Sequence, residues 1–346
     1  MNYGIGVIGV GVWGCHSLEQ TLLSACGDER QARIVAVSAD AAYGAGSCSE
    51  PAATAGAKYA AKFGARFEPD WRAVVNDPEV DIVSVMVCPR QKGEIILAAL
   101  QAGKHVVTDK PLAFTVAEAE QILAAEQVSS GTGFMLCGYH PRPLVARLLD
   151  AIAADRLGEI KAASVRLHFM GGIYPGFVPT AQWRSEIPSG EMTTIGSHAL
   201  VTLCRLLGKP ARSVYAIARN CFYDEYRQVG AEDWAELNLD FGGAVGHVLV
   251  ARLPYRLPRE DVRIEVTGTT GYAEIADNRL TLWPGPESTA CTIDGQALSR
   301  EQFRQFYAAI ESGGEPPTTF AEGLHLQRIL AASLESIRQD RPQPID

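Results

Sequence analysis

The chain has 346 residues, 47% of them hydrophobic and 21% charged, and carries a net charge of −9. That length suits two domains of ordinary globular composition. The acidic balance, without a Lys/Arg block, excludes the basic face that nucleic acids require, and no apolar run reaches the roughly 20 residues of a membrane-spanning helix. The apolar N-terminus has no basic leader and is interrupted by glycines, so it does not read as a signal peptide. The eight cysteines, Cys15, Cys26, Cys48, Cys88, Cys137, Cys204, Cys221 and Cys291, form no C-x-x-C pair. They are expected to be buried free thiols in a reducing cytoplasm, with no metal site.

Residues 3–10 are an apolar, β-branched run ending in glycines, which predicts a buried strand. His16 to Cys26 carries Leu18, Leu22 and Leu23 at helical spacing. Residues 33–38 form a second strand, 42–56 a loop of small and polar residues, and Lys58 to Phe63 a short helix. Asp81 to Val87 is a third strand, closed by a break at Pro89. Glu94 to Ala102 is a helix with Gly103 as its C-terminal cap, and His105 to Thr108 a fourth strand broken by Pro111. Thr115 to Gln127 is a helix that opens on a Thr115/Glu118 capping box, and Phe134 to Gly138 is a fifth strand. This alternation predicts a parallel sheet with helical crossovers. After Pro141 and Pro143 the pattern changes. A helix at 144–154 precedes alternating runs at 160–169, 212–219, 234–241, 244–253 and 262–268, with helices at about 194–207, 299–312 and 320–338 packed beside them. The expected fold is therefore α/β: residues 1–140 a dinucleotide-binding Rossmann domain, residues 141–346 an α+β domain with an open, mostly antiparallel sheet.

Gly9-Val10-Gly11-Val12-Trp13-Gly14 fits G-x-G-x-x-G and sits between the first strand and the first helix. There the first glycine permits the tight turn, the second lets the backbone approach a pyrophosphate, and the third lets helix pack on strand. The helix N-terminus then offers free N–H groups to the phosphates. The second strand should end on an acid for the adenosine ribose. Asp40 is the acid available, either in that role or one residue late with Ala39 at the usual position. A carboxylate there repels a 2′-phosphate and favours NAD over NADP.

With Gly103-Lys104-His105-Val106-Val107-Thr108-Asp109-Lys110-Pro111, this fingerprint resembles the glucose–fructose oxidoreductase/inositol dehydrogenase (Gfo/Idh/MocA) family, in which the fourth strand ends on Glu-Lys-Pro. Further segments agree in order: Asn76-Asp77-Pro78-Glu79-Val80-Asp81, Trp183-Arg184, Gly196-Ser197-His198, Glu265-Val266-Thr267-Gly268 and Gly313-Gly314-Glu315-Pro316-Pro317. The resemblance implies a cytoplasmic homo-oligomer, a dimer or tetramer, that transfers hydride between NAD or NADP and a hydroxyl or keto carbon of a carbohydrate-like small molecule. It assigns Lys110 and His198 to catalysis, with Lys110 polarising the substrate oxygen and His198 accepting the proton. Cys88, Pro89, Asp109 and Lys110 join the glycine turn and Asp40 as cofactor-binding residues. Tyr139, His140, Trp183, Arg184, Thr194 and His198 line the substrate.

The chain departs from the family pattern at Thr194, where an Asp is usual, and at Ser189-Gly190-Glu191, where three glycines are usual. The histidine often found after the third strand is replaced within Cys88-Pro89-Arg90-Gln91-Lys92-Gly93. Arg90, Lys92 and Arg184 are then cations for an acidic group on the substrate, or solvated surface charges. Two other readings keep the fold: a nicotinamide-retaining, glycosidase-like enzyme without net redox change, and a non-catalytic nucleotide-binding relative.

Overall fold

The computed structural model describes residues 2–11, 22–26, 31–39, 51–170, 190–257, 262–285, 287–291 and 295–346. The first two apolar runs form β1 (Asn2–Ile8) and β2 (Gln31–Ser38). Most of the helix expected over 16–26 lies outside the described residues, and its end is a 3-10 turn at Ser24–Cys26. Helix α1 (Ala52–Phe63) begins inside the segment expected to be a loop. Its small residues are largely alanines, the strongest helix formers, and Pro51 marks the entry. There follow β3 (Arg66–Phe67), α2 (Trp71–Val75), β4 (Ile82–Val85), α3 (Pro89–Gln101), β5 (His105–Asp109), α4 (Val116–Val128) and β6 (Gly133–Leu136). Pro89 starts α3 rather than breaking the chain, because the first helical turn leaves its N–H positions unbonded in any case. The capping box of α4 is formed, with the Glu118 N–H donating to Thr115 Oγ1 at 3.1 Å and the Thr115 N–H to Glu118 Oε2 at 3.3 Å. The six strands pair in parallel in the order β3-β2-β1-β4-β5-β6, which reverses direction between β1 and β4.

In the second unit, α5 (Pro143–Ala153) leads to β7 (Ile160–Met170), α6 (Glu191–Thr194), α7 (Gly196–Leu207), β8 (Ser213–Arg219), α8 (Asp224–Gln228), β9 (Trp234–Asp240), β10 (Val245–Leu253) and β11 (Val262–Gly268). Three strands beyond the last one expected, β12 (Tyr272–Ala276), β13 (Arg279–Trp283) and β14 (Glu287–Ala290), widen the sheet. With β15 (Gln343–Pro344), which follows helices α9 (Gly295–Ser312) and α10 (Phe320–Gln339), the order is β14-β13-β12-β11-β7-β10-β9-β8-β15. Among the described strand pairs of this sheet, only β7 and β10 run parallel. Side chains alternate: Ala163, Val165, Leu167, Val248 and Val250 are buried on the face that α7 covers. The opposite face carries Ser164, Tyr215, His247 and Glu265.

Residues 299–312 were expected beside this second sheet. Instead, Phe303, Phe306 and Tyr307 of α9 are fully buried in the core of the first unit. Phe134 of β6 meets Phe303 edge-on at 6.0 Å between ring centroids, and Tyr3 of β1 lies 5.2 Å from Tyr307. The compact units are accordingly discontinuous, 1–136 with 294–324 and 137–293 with 325–346, rather than divided once at residue 140. The five described cysteines are free thiols, and Cys137 is buried as expected, whereas Cys88, Cys204 and Cys291 are half-buried and Cys221 is exposed. Among the described residues, no helix is long and apolar enough to cross a membrane.

Charge is buried under α6. Glu191 is fully enclosed, and its Oε1 accepts the Arg252 Nε–H at 2.6 Å and the Tyr226 hydroxyl at 2.5 Å. Beside it, Glu232 accepts the Met192 N–H at 2.8 Å. Burial pushes the Glu232 carboxyl up to about 8; the Met192 N–H opposes this, and Glu191 and Asp233 add to it. The folded state therefore holds this proton between the usual carboxylate value of 4.5 and about 8, while the unfolded chain has lost it, so stability falls as pH rises through that window. Glu232→Gln removes this dependence. Denaturant melts of variant and parent at pH 5, 6.5 and 8 should show a stability difference that shifts toward the variant as pH rises and levels off above about 8. A difference that stays constant with pH contradicts a proton held at Glu232.

Candidate active site

Because every strand of the first sheet runs the same way, the turns after β1, β4 and β5 open on one edge, and these three strands are neighbours. The expected cofactor residues that are described fall on these turns: Gly9, Val10 and Gly11 after β1, Cys88 and Pro89 after β4, and Asp109 and Lys110 at the end of β5. Gly9 has φ +95°, and a Cβ there would stand 2.4 Å from the Met86 carbonyl oxygen, so a side chain is excluded where the turn crosses β4. Its N–H donates to Ser38 O at 2.9 Å, which ties the turn to the end of β2. The Ser38 hydroxyl beside it is buried and has no hydrogen-bond partner among the described residues. A tight glycine turn at a topological switch point, with an unsatisfied hydroxyl at the end of the next strand, fits a dinucleotide. Val12, Trp13, Gly14 and Asp40 lie outside the described residues, and Ala39, at the end of β2, is buried.

Lys110 is half-buried, and its backbone is held from several directions. Its N–H donates to Asp109 Oδ1 at 2.8 Å, and Thr108 Oγ1 donates to Val85 O of β4 at 2.9 Å. Lys92 is the correction in this region. It is neither a solvated charge nor a cation open to a substrate: it is 1% exposed, and its Nζ donates to Asp109 O at 2.5 Å and Pro111 O at 2.9 Å. Arg90 is exposed, with its guanidinium 4.9 Å from the Phe114 ring centroid.

In the second unit the substrate residues assigned by resemblance gather around α7. His198 stands in its first turn, half-buried. Tyr139 stacks on it, with ring centroids 5.4 Å apart and planes 20° apart, and the Arg142 guanidinium covers the other ring at 3.9 Å from the Tyr139 centroid. The Tyr139 N–H donates to Thr202 Oγ1 at 2.8 Å, and that hydroxyl donates to His198 O at 2.7 Å. His140 is buried against Gly138, whose φ of +85° leaves no room for a side chain: a Cβ would lie 2.6 Å from His140 Nδ1. Thr194 does not replace the family's acid as a partner of His198. It ends α6 and turns its hydroxyl back onto Gly190 O at 3.0 Å. Trp183 and Arg184 lie outside the described residues.

The Gly138 N–H donates to His198 Nδ1 at 3.2 Å. An acceptor at Nδ1 places the ring proton on Nε2.

Comparison with known proteins agrees with this geometry. Residues 3–135 match the oxidoreductase family with an NAD-binding Rossmann fold, and residues 145–274 match the Gfo/Idh/MocA C-terminal domain. The chain belongs to the Gfo/Idh/MocA oxidoreductase family. Among its relatives are the 1,5-anhydro-D-fructose reductase of Ensifer adhaerens, 30% identical over 72% of this chain and 75% of that protein, and the NADP(+)-dependent scyllo-inositol 2-dehydrogenase of Bacillus subtilis (strain 168), 25% identical over 78% and 80%. The levoglucosan dehydrogenase of Pseudarthrobacter phenanthrenivorans is 28% identical over 78% and 81%. A solved levoglucosan dehydrogenase in complex with NADH shares the fold across 100% of both chains, at a TM-score of 0.83 and 20% identity. The sequence offered Lys92 only as a substrate cation or a surface charge, and it did not bring Glu191, Arg252 and Tyr226 together as a buried group. Arg252 did leave a signal, because it continues the buried positions Gly246, Val248 and Val250 along β10.

The tautomer is directly measurable. Nitrogen-15 spectra of histidine-labelled protein near neutral pH should give His198 an unprotonated Nδ1 and a protonated Nε2, and Gly138→Ala should disturb that signature. A protonated Nδ1 in the parent protein contradicts the Gly138 bond.

Proposed function

We propose that this chain is an NAD(P)-dependent dehydrogenase or ketoreductase acting on a hydroxyl or keto carbon of a sugar, anhydrosugar or polyol. The observation that carries the reading is the convergence of the glycine turn after β1 and the Asp109-Lys110-Pro111 turn after β5 on one edge of the parallel sheet. The names of the relatives, an anhydrofructose reductase, an inositol dehydrogenase and a levoglucosan dehydrogenase, support the substrate class. Nicotinamide supplies the hydride acceptor for oxidation and the donor for reduction. Gly9–Gly14 hold the pyrophosphate, with Cys88, Pro89 and Asp109 lining the same edge, and Asp40 favours NAD by taking the ribose hydroxyls. Lys110 exchanges the proton of the reacting oxygen: as the ammonium it stabilises the charge developing there in reduction and gives up its proton, and as the amine it takes the hydroxyl proton in oxidation. His198 serves proton transfer at the substrate, and Tyr139, His140, Trp183, Arg184 and Thr194 shape the substrate's surroundings. A homo-oligomer is proposed as well, assembled through the sheet face that carries Tyr215, His247, Tyr272 and the exposed Trp283.

The test is a spectrophotometric screen of levoglucosan, scyllo-inositol and D-xylose with NAD and NADP, and of 1,5-anhydro-D-fructose with NADH and NADPH. Turnover on at least one, with the lower Michaelis constant for NAD over NADP, is expected. Lys110→Ala should then lower kcat by about 10²–10⁴-fold while the Kd for NADH stays within about threefold, since a cofactor held at several turns loses little with one side chain. Near-normal turnover in that variant removes Lys110 from the chemistry.

A further inference from the structure

Lys92 is a fully enclosed cation in a family whose assigned chemistry does not use it. It lies in the first turn of α3, directly after β4, and its Nζ reaches across to β5. Its two acceptors, the carbonyl oxygens of Asp109 and Pro111, are the ones on either side of Lys110, at 2.5 and 2.9 Å. Among the described residues, no hydrogen bond from Lys92 to a carboxylate accounts for its burial; what it satisfies is the backbone on both flanks of the residue assigned to the reacting oxygen. Enclosing an ammonium is costly unless its donors are matched to acceptors, so these two bonds are what make the position tenable.

We propose that Lys92 is a positioning residue for Lys110, clamping the backbone from which that side chain acts. The inference rests on the reading of Lys110 given above. An ammonium donates charge-assisted bonds about twice as strong as those of a neutral amine, so loss of the proton slackens the clamp without removing the side chain. Burial pushes the Lys92 ammonium down to about 8; Asp109 pulls it back up, Lys110 pushes it further down, and Cys88 raises it slightly. The charged groups around it are Asp109 and Lys110 on the turn, Cys88 at the start of α3, and Glu118 of α4, whose carboxylate lies against Gly93. The clamp is thus complete below about pH 8 and weakens above it, which makes the position of Lys110 sensitive to mildly alkaline pH.

The experiment compares parent, Lys92→Met, Lys92→Gln and Lys110→Ala, using whichever of levoglucosan, scyllo-inositol, D-xylose or 1,5-anhydro-D-fructose the parent turns over fastest. Lys92→Met should lower kcat at least tenfold, leave substrate KM and NADH Kd within about threefold, and lose the fall in activity that the parent shows near pH 8. A kcat equal to the parent's, or a reduced kcat with the parent's pH profile intact, overturns the proposal. Activity retained in Lys110→Ala overturns it through Lys110, whereas an inactive Lys110→Ala beside a fully active Lys92→Met overturns the clamp alone and leaves the function standing. A second measurement needs neither turnover nor a folded variant. In lysine-labelled parent protein, the Lys110 side-chain signals should shift with the midpoint of the Lys92 titration. A Lys110 signal indifferent to that titration refutes the coupling.

Discussion

Parallel pairing is the constraint from which the candidate site follows. In an all-parallel sheet each strand must be followed by a crossover, so all the turns that leave the strands are collected on the carboxyl edge. Where the order reverses between β1 and β4, the crossovers go to opposite faces and leave an opening. The residues after β1, β4 and β5 owe their proximity to this arrangement, although Cys88 and Lys110 lie about 80 and about 100 positions beyond Gly9 along the chain. The glycine turn can lie against β4 only without a Cβ at Gly9, and the Lys110 turn is tied to the same edge through Lys92.

Both units pair buried charge with fixed donors and acceptors beside the residues that matter. In the first, Lys92 spends its ammonium on backbone carbonyls around Lys110. In the second, Glu191 binds Arg252 and Tyr226 beneath α6, the short helix that leads into α7 and His198. Such groups are weak stabilisers relative to apolar packing, because desolvation consumes much of the attraction. They do fix geometry, since each donor has one acceptor position in which it is satisfied. Glu191 is matched by Arg252, which reaches it from β10.

Much of this was legible in the sequence. Continuous apolar runs bounded by glycine and proline marked the Rossmann strands, and alternation marked the second sheet, because buried strands leave those periodicities. Two-residue β3 was too short to leave a pattern, and α1 was obscured by small residues that suit loop and helix alike. The placement of α9 was not legible either: an apolar stripe of Phe303, Phe306 and Tyr307 says that a helix is buried but not in which core. At the site, the glycine turn, the Lys110 turn and His198 were found through motif order. Lys92 was misread because an ionisable residue is usually exposed, and its acceptors are backbone oxygens contributed from a different strand, which no local pattern reveals. The contact at His198 Nδ1 was equally hidden, because it comes from the Gly138 N–H some 60 residues earlier.

Hydride transfer is the claim to which these pieces lead, and isotope tracing addresses it most directly. Parent protein is incubated with NAD and scyllo-inositol or levoglucosan carrying deuterium on the carbinol carbons, and the reduced cofactor is analysed by mass spectrometry. Hydride transfer predicts one deuterium at C4 of the nicotinamide for each turnover, with transfer by Lys110→Ala slowed by about 10²–10⁴-fold. Substrate consumed while the nicotinamide stays unlabelled would contradict it.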